Sequence, residues 1–527
     1  MSPSAPLLLA RLAAVVGTGH VDTDQASLAL HGADLSWIVA QAPLAMVAPA
    51  SIDELARVVA LVTAAGHASI ARGGGMSYTG GAVAEQAGSV LIDMRRLDRI
   101  VDINTEDMYV TVECGCTWKK LYEALRERGV RTPYFGPLSG RYATIGGALA
   151  QNGVFMGSGQ YGAAADNCLG LQVVLADGSL LQTGSAARRA GSPFFRHFGP
   201  DLSGIFTSDG GAFGIKAQAT LKLIRTPAVT VCSSWGFDTA AAMLAAQTEL
   251  ARCQITAECF GFNPAYNTAF QHKSLTLGEA LQTARDVLRS SASPLAAVRR
   301  LWQLAAGGKG VLSSVQYSLH VVLDAASQGA ADAAAATVAG LCAPHARRLS
   351  NALPMAFRAQ PFRAVRNLML GADGEVWIPA HGVFPLSQAA QAVATTEAFF
   401  VEHAALMAQH GISSTYLTFC PGLSFIVEPS FYWSDALGPF RLSLIEPAFQ
   451  QRWGGLPAQP EIRAVALRLR AELRDRYLAL GSCHLQLGKY YPYAPAIGND
   501  PALKLVQNIK HLLDPQARMN PGALGLR

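Results

Sequence analysis

The chain is poor in charge: only 15% of its 527 residues are Asp, Glu, Lys or Arg, while half are apolar. Intrinsic disorder needs the opposite balance, so a large packed interior is expected. The 42 basic and 37 acidic side chains leave a formal charge of +5. They are scattered, without basic stripes or interleaved aromatics, and no nucleic acid partner is expected. No apolar run reaches the roughly 20 residues of a spanning helix. Leu7 to Gly17 comes nearest, but Arg11 breaks it and no basic flank precedes it. An amphipathic helix is expected there, with no transmembrane segment and no secretory signal. The nine cysteines are odd in number and contain no CxxC pair, so a reducing, cytoplasmic setting without a disulfide framework is expected. HExxH is absent, and His403 and His410 are too far apart for one helical pair of ligands; no metal is expected.

The length exceeds the range over which one core keeps growing, so two or three packed regions are expected. Ser51-Ile52-Asp53-Glu54 reads as a capping box, followed by Leu55, Val58, Val59 and Val62 on one helical face. Short strands are expected at Ala68 to Ala71, Val90 to Met94 and Met108 to Glu113, with Cys114 and Cys116 as alternate residues of a strand. A helix capped by Thr117 follows. Ala176-Asp177-Gly178 reads as a hairpin turn after a strand from Leu171. Beyond Pro227 the character changes to Ala-rich helices (Thr239 to Arg252, Ser387 to Gln409) between strands, an α+β pattern with helices on one face of an antiparallel sheet. Three segments result: residues 1–227, 228–480 and 481–527.

The motif richest in chemistry is Arg72-Gly73-Gly74-Gly75-Met76-Ser77, directly after a strand. Consecutive glycines let backbone N–H groups approach an anion without Cβ interference, which suits a diphosphate; a plain tight turn is the alternative. A second glycine cluster, Thr144-Ile145-Gly146-Gly147 through Asn152-Gly153, follows Pro137-Leu138-Ser139 and precedes Tyr161. Two such loops point to a long ligand, although small residues also serve close helix packing. A third element, Ser208 to Ile215, leads into a strand. Gly157-Ser158-Gly159-Gln160-Tyr161-Gly162 formally matches GxGxxG, but Asp177 sits in a hairpin turn rather than ending a parallel strand, so a nicotinamide site is not expected.

In this order the segments resemble the vanillyl-alcohol oxidase and p-cresol methylhydroxylase superfamily of FAD-linked oxidases. The likeness runs in detail over about residues 42–226 and more loosely through Asn520-Pro521-Gly522, and its motifs are most like the glycolate oxidase and D-lactate dehydrogenase branch. The resemblance implies an α+β fold: an FAD-binding domain of two subdomains, a cap over the flavin, and a C-terminal segment returning to the first domain. It implies that Arg72, Gly73, Gly74, Gly75, Met76 and Ser77 hold the pyrophosphate. Pro137, Thr144, Gly146, Gly147, Asn152, Gly153 and Tyr161 would line the flavin and its ribityl chain, with Ile215 and Asn520 beside them.

On the substrate side, His484 can act as base for a substrate hydroxyl, and Lys489 can neutralise a carboxylate or the reduced flavin. Arg363, with Arg366, can clamp a carboxylate, and Tyr490 or Tyr491 can stabilise a phenolate. His381 lies in a segment that in some relatives bonds covalently to flavin; its spacing here is shifted, so dissociable FAD is expected. The expected activity is hydride removal from a D-2-hydroxy acid or similar secondary alcohol; the alternatives are an aromatic alcohol or 4-alkylphenol, or a flavin-bearing subunit of a larger complex. The partners expected are a small-molecule substrate and an acceptor that is oxygen, a quinone or a cytochrome, with a homodimer as an option. Two departures stand out: the family's glutamate-histidine-glycine segment is replaced by Cys483-His484-Leu485, and the acid of phenol-oxidising members is replaced by Ala163.

Overall fold

The computed structural model describes residues 5–272, 315–362 and 365–526. The early apolar stretch is the helix Ala5–Val16, which buries Leu8, Leu12 and Val16 on one face. It packs with the helix Ile52–Ala64, whose cap is Ser51 accepting from the Glu54 N–H. The Glu54 carboxylate reaches back to the N–H of Ala50. Leu55, Val58, Val59 and Val62 of that helix are fully buried, as their spacing predicts.

These helices cover a four-stranded sheet in the order Val21–Asp22, Ala45–Val47, Val90–Asp93, Ser69–Arg72. The last three strands are parallel. A five-stranded antiparallel sheet follows, in the order Ile100–Asn104, Tyr109–Glu113, Ile215–Lys222, Cys168–Val174, Leu180–Gln182. The hairpin expected at Asp177-Gly178 joins the strands Cys168–Val174 and Leu180–Gln182. Cys114 and Cys116 differ from expectation. The strand ends at Glu113, because Gly115 turns tightly beneath Met94, where a Cβ would stand 1.8 Å from the Met94 carbonyl oxygen.

The middle of the chain forms an eight-stranded antiparallel sheet built around Val229–Phe237, Tyr317–Ala325, Glu258–Phe262, Ser413–Phe419 and Ser424–Trp433. The helices Ala240–Cys253, Gln328–Cys342, Ala389–Glu402 and Pro460–Ala479 pack on it. The single helix expected over Ser387 to Gln409 is broken at His403, whose N–H and ring Nδ1 both engage the Phe399 carbonyl. The fold is thus α+β.

A buried ion network docks the first region on the second. Arg131 meets Asp324 at 2.8 Å, and Arg358 bridges Asp324 and Glu258. Glu258 also accepts from the Gly157 N–H at 2.7 Å, while the Gly159 N–H donates to the Ala257 carbonyl. The GxGxxG-like segment therefore serves domain docking. A Cβ on Gly159 would lie 2.4 Å from the Thr256 carbonyl oxygen, which accounts for that glycine.

The C-terminal segment comes back to the parallel sheet. The Ser69 N–H donates to Arg518 and the Asn520 N–H to Ser69, a short parallel bridge along the strand that precedes the glycine loop. Buried Lys510 locks the segment by donating to Asp514, Ala212 and Met519. No described helix is long and apolar enough to cross a membrane.

Candidate active site

The strand Ser69–Arg72 delivers its glycine loop at the carboxyl end of the parallel strands, where open α/β sheets present ligands. The loop is pressed onto the segment 142–144. A Cβ on Gly73 would lie 2.3 Å from Thr144 Oγ1, and one on Gly74 would lie 2.0 Å from the Tyr142 carbonyl oxygen. Only glycine permits this approach. Gly75 takes φ +71°, in the left-handed region.

The backbone N–H groups of Gly74, Gly75, Met76 and Ser77 donate to no protein acceptor among the described residues, and all four residues line one continuous cavity. Adjacent unsatisfied donors turned toward a cavity form an anion cradle. Arg72 stands behind it, fully buried, donating to the Ala33 carbonyl at 2.7 Å and lying over the Phe440 ring. Burial lowers its pKa to about 10, so it stays charged at neutral pH and adds positive potential without lining the cavity.

The second glycine cluster works differently. Thr144 caps the helix Ile145–Gln151 by accepting from the Gly147 N–H, while the N–H groups of Ile145 and Gly146 donate to the Cys116 and Cys114 carbonyls. Its amides are therefore occupied. Its glycines keep the wall thin: Gly146 has only 2.8 Å between a Cβ and the Cys114 side chain.

Pro137, Thr144, Gly146, Gly147, Gly153 and Ile215 all line the cavity. So does Asn520, with φ +40°, whose Nδ2 donates to Gly81 at 2.9 Å and Gly210 at 2.6 Å. Asn520 thereby staples three loops together. Its Oδ1, the Gln151 Oε1 and the Ser69 Oγ are buried without partners, and all three residues line the cavity. Free amides, orphaned polar atoms and a glycine-thinned wall together fit a long ligand carrying a diphosphate and a polar ring.

Two expected lining residues fall elsewhere. Asn152 ends the helix in the left-handed region and accepts from the Ala165 N–H. Tyr161 lines a separate cleft with Asp166 and Asn167, because the helix that carries it, Ser158–Tyr161, is committed to docking the cap strand.

The cap contributes the opposite wall. Along Ser424–Trp433, Ile426, Glu428 and Ser430 face the cavity, whereas Phe425, Val427, Phe431 and Trp433 join the core behind the sheet. This is the period-two alternation of a strand. The neighbouring Ser413–Phe419 adds Leu417, opposite Glu428, and Phe419, opposite Ile426. Tyr78, Phe155, Tyr266 and Trp377 complete a largely aromatic wall. The Trp377 indole donates to Ser430 Oγ at 2.8 Å.

Glu428 is the one carboxylate among the described lining residues. Burial pushes its pKa up to about 7, opposed by the neighbouring Tyr78 hydroxyl. In the sequence of this strand Phe425, Phe431, Tyr432 and Trp433 draw the eye and obscure its one acid. The readable signal was a lone carboxylate in phase with Ile426 and Ser430.

The expected catalytic residues separate into different environments. His381 lines the cavity, yet both ring nitrogens are occupied. The Tyr491 hydroxyl accepts from the His381 backbone N–H at 2.9 Å and lies 3.0 Å from Nδ1, while Nε2 accepts from the Leu485 N–H at 3.0 Å and lies 2.7 Å from the Leu485 carbonyl oxygen. Burial lowers the His381 pKa to about 3, which leaves a neutral ring.

His484 lies outside the cavity. It stacks on Tyr491 at 4.1 Å, and its Nδ1 bonds the His381 carbonyl, while Leu485 and Gln486 take the lining positions. Cys483 pairs with Val383 as an isolated β-bridge, and the His484 ring is held by the His381 carbonyl and the Tyr491 ring. Lys489 donates to the Val83 carbonyl at 2.6 Å, away from the cavity. Tyr490 is covered by the guanidinium of Arg470, 3.6 Å above its ring. Arg363 lies outside the described residues, and Arg366 bonds Glu446.

Elsewhere, Glu402, His403 and Glu472 bring ligand atoms within 4.8 Å of one another, but Arg476 already pairs with both carboxylates.

Comparison with known proteins accords with this cradle. Residues 43–184 match the profile described as FAD binding domain. The chain is 29% identical over 296 residues to "Probable D-lactate dehydrogenase, mitochondrial" of Danio rerio, covering 53% of this chain and 58% of that one. It is 28% identical over 217 residues to "Glycolate oxidase subunit GlcD" of Bacillus subtilis, covering 41% and 44%. The match thus spans about half the length of these curated relatives. The crystal structure of p-cresol methylhydroxylase with substrate bound superposes with a TM-score of 0.75 at 18% identity, covering 100% of this chain and 98% of that one. Residues 43–184 thus match the FAD binding domain model, and the chain as a whole shares the fold of p-cresol methylhydroxylase.

Proposed function

We propose that the chain is an FAD-dependent oxidoreductase that oxidises a carbon bearing a hydroxyl group, with Glu428 taking the hydroxyl proton. The observation that carries this reading is one cavity that joins four free loop amides to a desolvated carboxylate on the facing cap strand. The amides of Gly74 to Ser77, backed by Arg72, would hold the diphosphate. Thr144, Gly146, Gly147, Gly153, Ile215 and Asn520 would flank the remainder of the cofactor. Bound FAD would supply the acceptor for a hydride.

The chain's own part is to position, desolvate and accept a proton. A general base is most effective with a pKa near the working pH, and burial brings Glu428 there. The neutral His381 ring, fixed by Tyr491 and Leu485, leaves no free nitrogen for attachment, which supports a dissociable flavin.

The names of the relatives support a D-2-hydroxy acid as substrate. A second reading, an uncharged aromatic or bulky alcohol, is favoured by the wall of Tyr78, Phe155, Tyr266, Trp377 and Phe419, and by Lys216 being tied to Asp209 at 2.6 Å. Anaerobic mixing of the FAD-loaded protein with D-lactate, D-2-hydroxyglutarate, glycolate and a set of aromatic alcohols tests both. Bleaching of the visible flavin band by one class selects it. No bleaching by any member of the panel would count against oxidation of a hydroxyl-bearing carbon.

A further inference from the structure

We propose that the loop 186–202 is a membrane-surface contact, by which the protein docks on an anionic lipid bilayer. Phe194, Phe195 and Phe198 are 57%, 48% and 55% exposed, and they are the exposed phenylalanines among the described residues. Leu202, 41% exposed, ends the same loop. Rings of this size are normally buried, and a cluster of them on one loop marks a surface that meets an apolar phase.

The neck beneath the loop is firmly built. Ser185 donates its N–H to the Phe195 carbonyl at 2.8 Å, and its hydroxyl donates to the Ser192 carbonyl and accepts from the Phe195 N–H. Arg196 turns inward to Asp201 and to the Ala165 and Cys168 carbonyls. The backbone is thus fixed while the rings are left outside.

Charge selects the phase. From Gly178 to Pro200 the chain has no Asp or Glu. Arg188, Arg189 and His197 are exposed on the same loop, and neither Arg188 nor Arg189 pairs with a carboxylate among the described residues. A protein partner would be expected to answer these arginines with acids at defined positions. Aromatic rings flanked by unpaired arginines suit the bilayer interface, where rings sit among the headgroups and anionic lipids answer the charge. A surface contact of this kind needs no spanning helix, and it is independent of the substrate reading.

The test is co-sedimentation of the FAD-loaded protein with vesicles of phosphatidylcholine, with and without phosphatidylglycerol, at low and high salt. The expected result is binding to the mixed vesicles that falls with salt and is weak on phosphatidylcholine alone. At about 1 kcal/mol per surface arginine, R188Q/R189Q should weaken partitioning about thirtyfold. F194S/F195S/F198S should also release the protein while flavin content stays unchanged. Wild-type protein that remains in the supernatant at low salt, or variants that partition as wild type does, overturn the proposal. A dimer that the serine variant converts to monomer, without vesicle binding by the wild type, overturns it in favour of self-association.

Discussion

Glu428→Gln removes an ionisable group while keeping the shape of the side chain. The carboxyl has an ordinary value of 4.5 and is held at about 7 by burial. Its folded pKa lies above its unfolded one, so the protonated form is favoured by folding. Below about pH 4.5 both states are protonated and the group makes no difference. Between about 4.5 and 7 the unfolded chain ionises while the folded one does not, and stability declines by about 1.4 kcal/mol per pH unit. Above about 7 both are ionised, and a penalty of about 3 kcal/mol remains. Glutamine carries no such penalty. The variant should therefore match wild type in urea unfolding at pH 4.5 and exceed it by up to about 3 kcal/mol at pH 8, both measured with saturating FAD. Flavin reduction should move the other way, falling about 10²-fold or more and losing its rise toward a plateau near pH 7. A variant that reduces flavin at the wild-type rate with an unchanged pH profile would refute the assignment, whatever its stability. Equal stability of the two proteins at pH 8 would refute the desolvation on which the assignment rests.

Other consequences can be checked with single variants. Gly74→Ala places a Cβ 2.0 Å from the Tyr142 carbonyl oxygen, so the protein should fold but purify without flavin, as its visible spectrum would report. Asn520→Ala removes two hydrogen bonds that staple the loops; at about 1 kcal/mol each, FAD should bind about tenfold or more weakly by fluorescence titration. His484→Ala should reduce flavin within a few-fold of wild type, because the ring faces away from the cavity; a loss of 10²-fold or more would return the base to His484.

The features legible from sequence are those governed by local rules. Ser51 and Thr117 cap helices where their spacing places them, and the run from Gly73 to Gly75 announces its loop. The two glycine clusters look alike in sequence, yet only the first presents free amides, because the second is backed by the Cys114 and Cys116 carbonyls. That distinction depends on contacts between segments about thirty residues apart. His484 illustrates the same limit: its ring is held outside the cavity by the His381 carbonyl, 103 residues earlier, and by the Tyr491 ring. Glu428 was hidden because its strand is conspicuous for aromatics, and only register shows which face each residue takes.

The staple made by Asn520 also sets an order of events during synthesis. Its amide closes on Gly81, 439 positions earlier in the chain, and on Gly210. While translation is under way, the glycine loop, its parallel strands and the first antiparallel sheet can assemble, but the pocket stays unclasped until Asn520 has been added. Cofactor capture therefore waits on Asn520, and a chain halted before that residue should leave the glycine loop folded yet unable to retain its coenzyme.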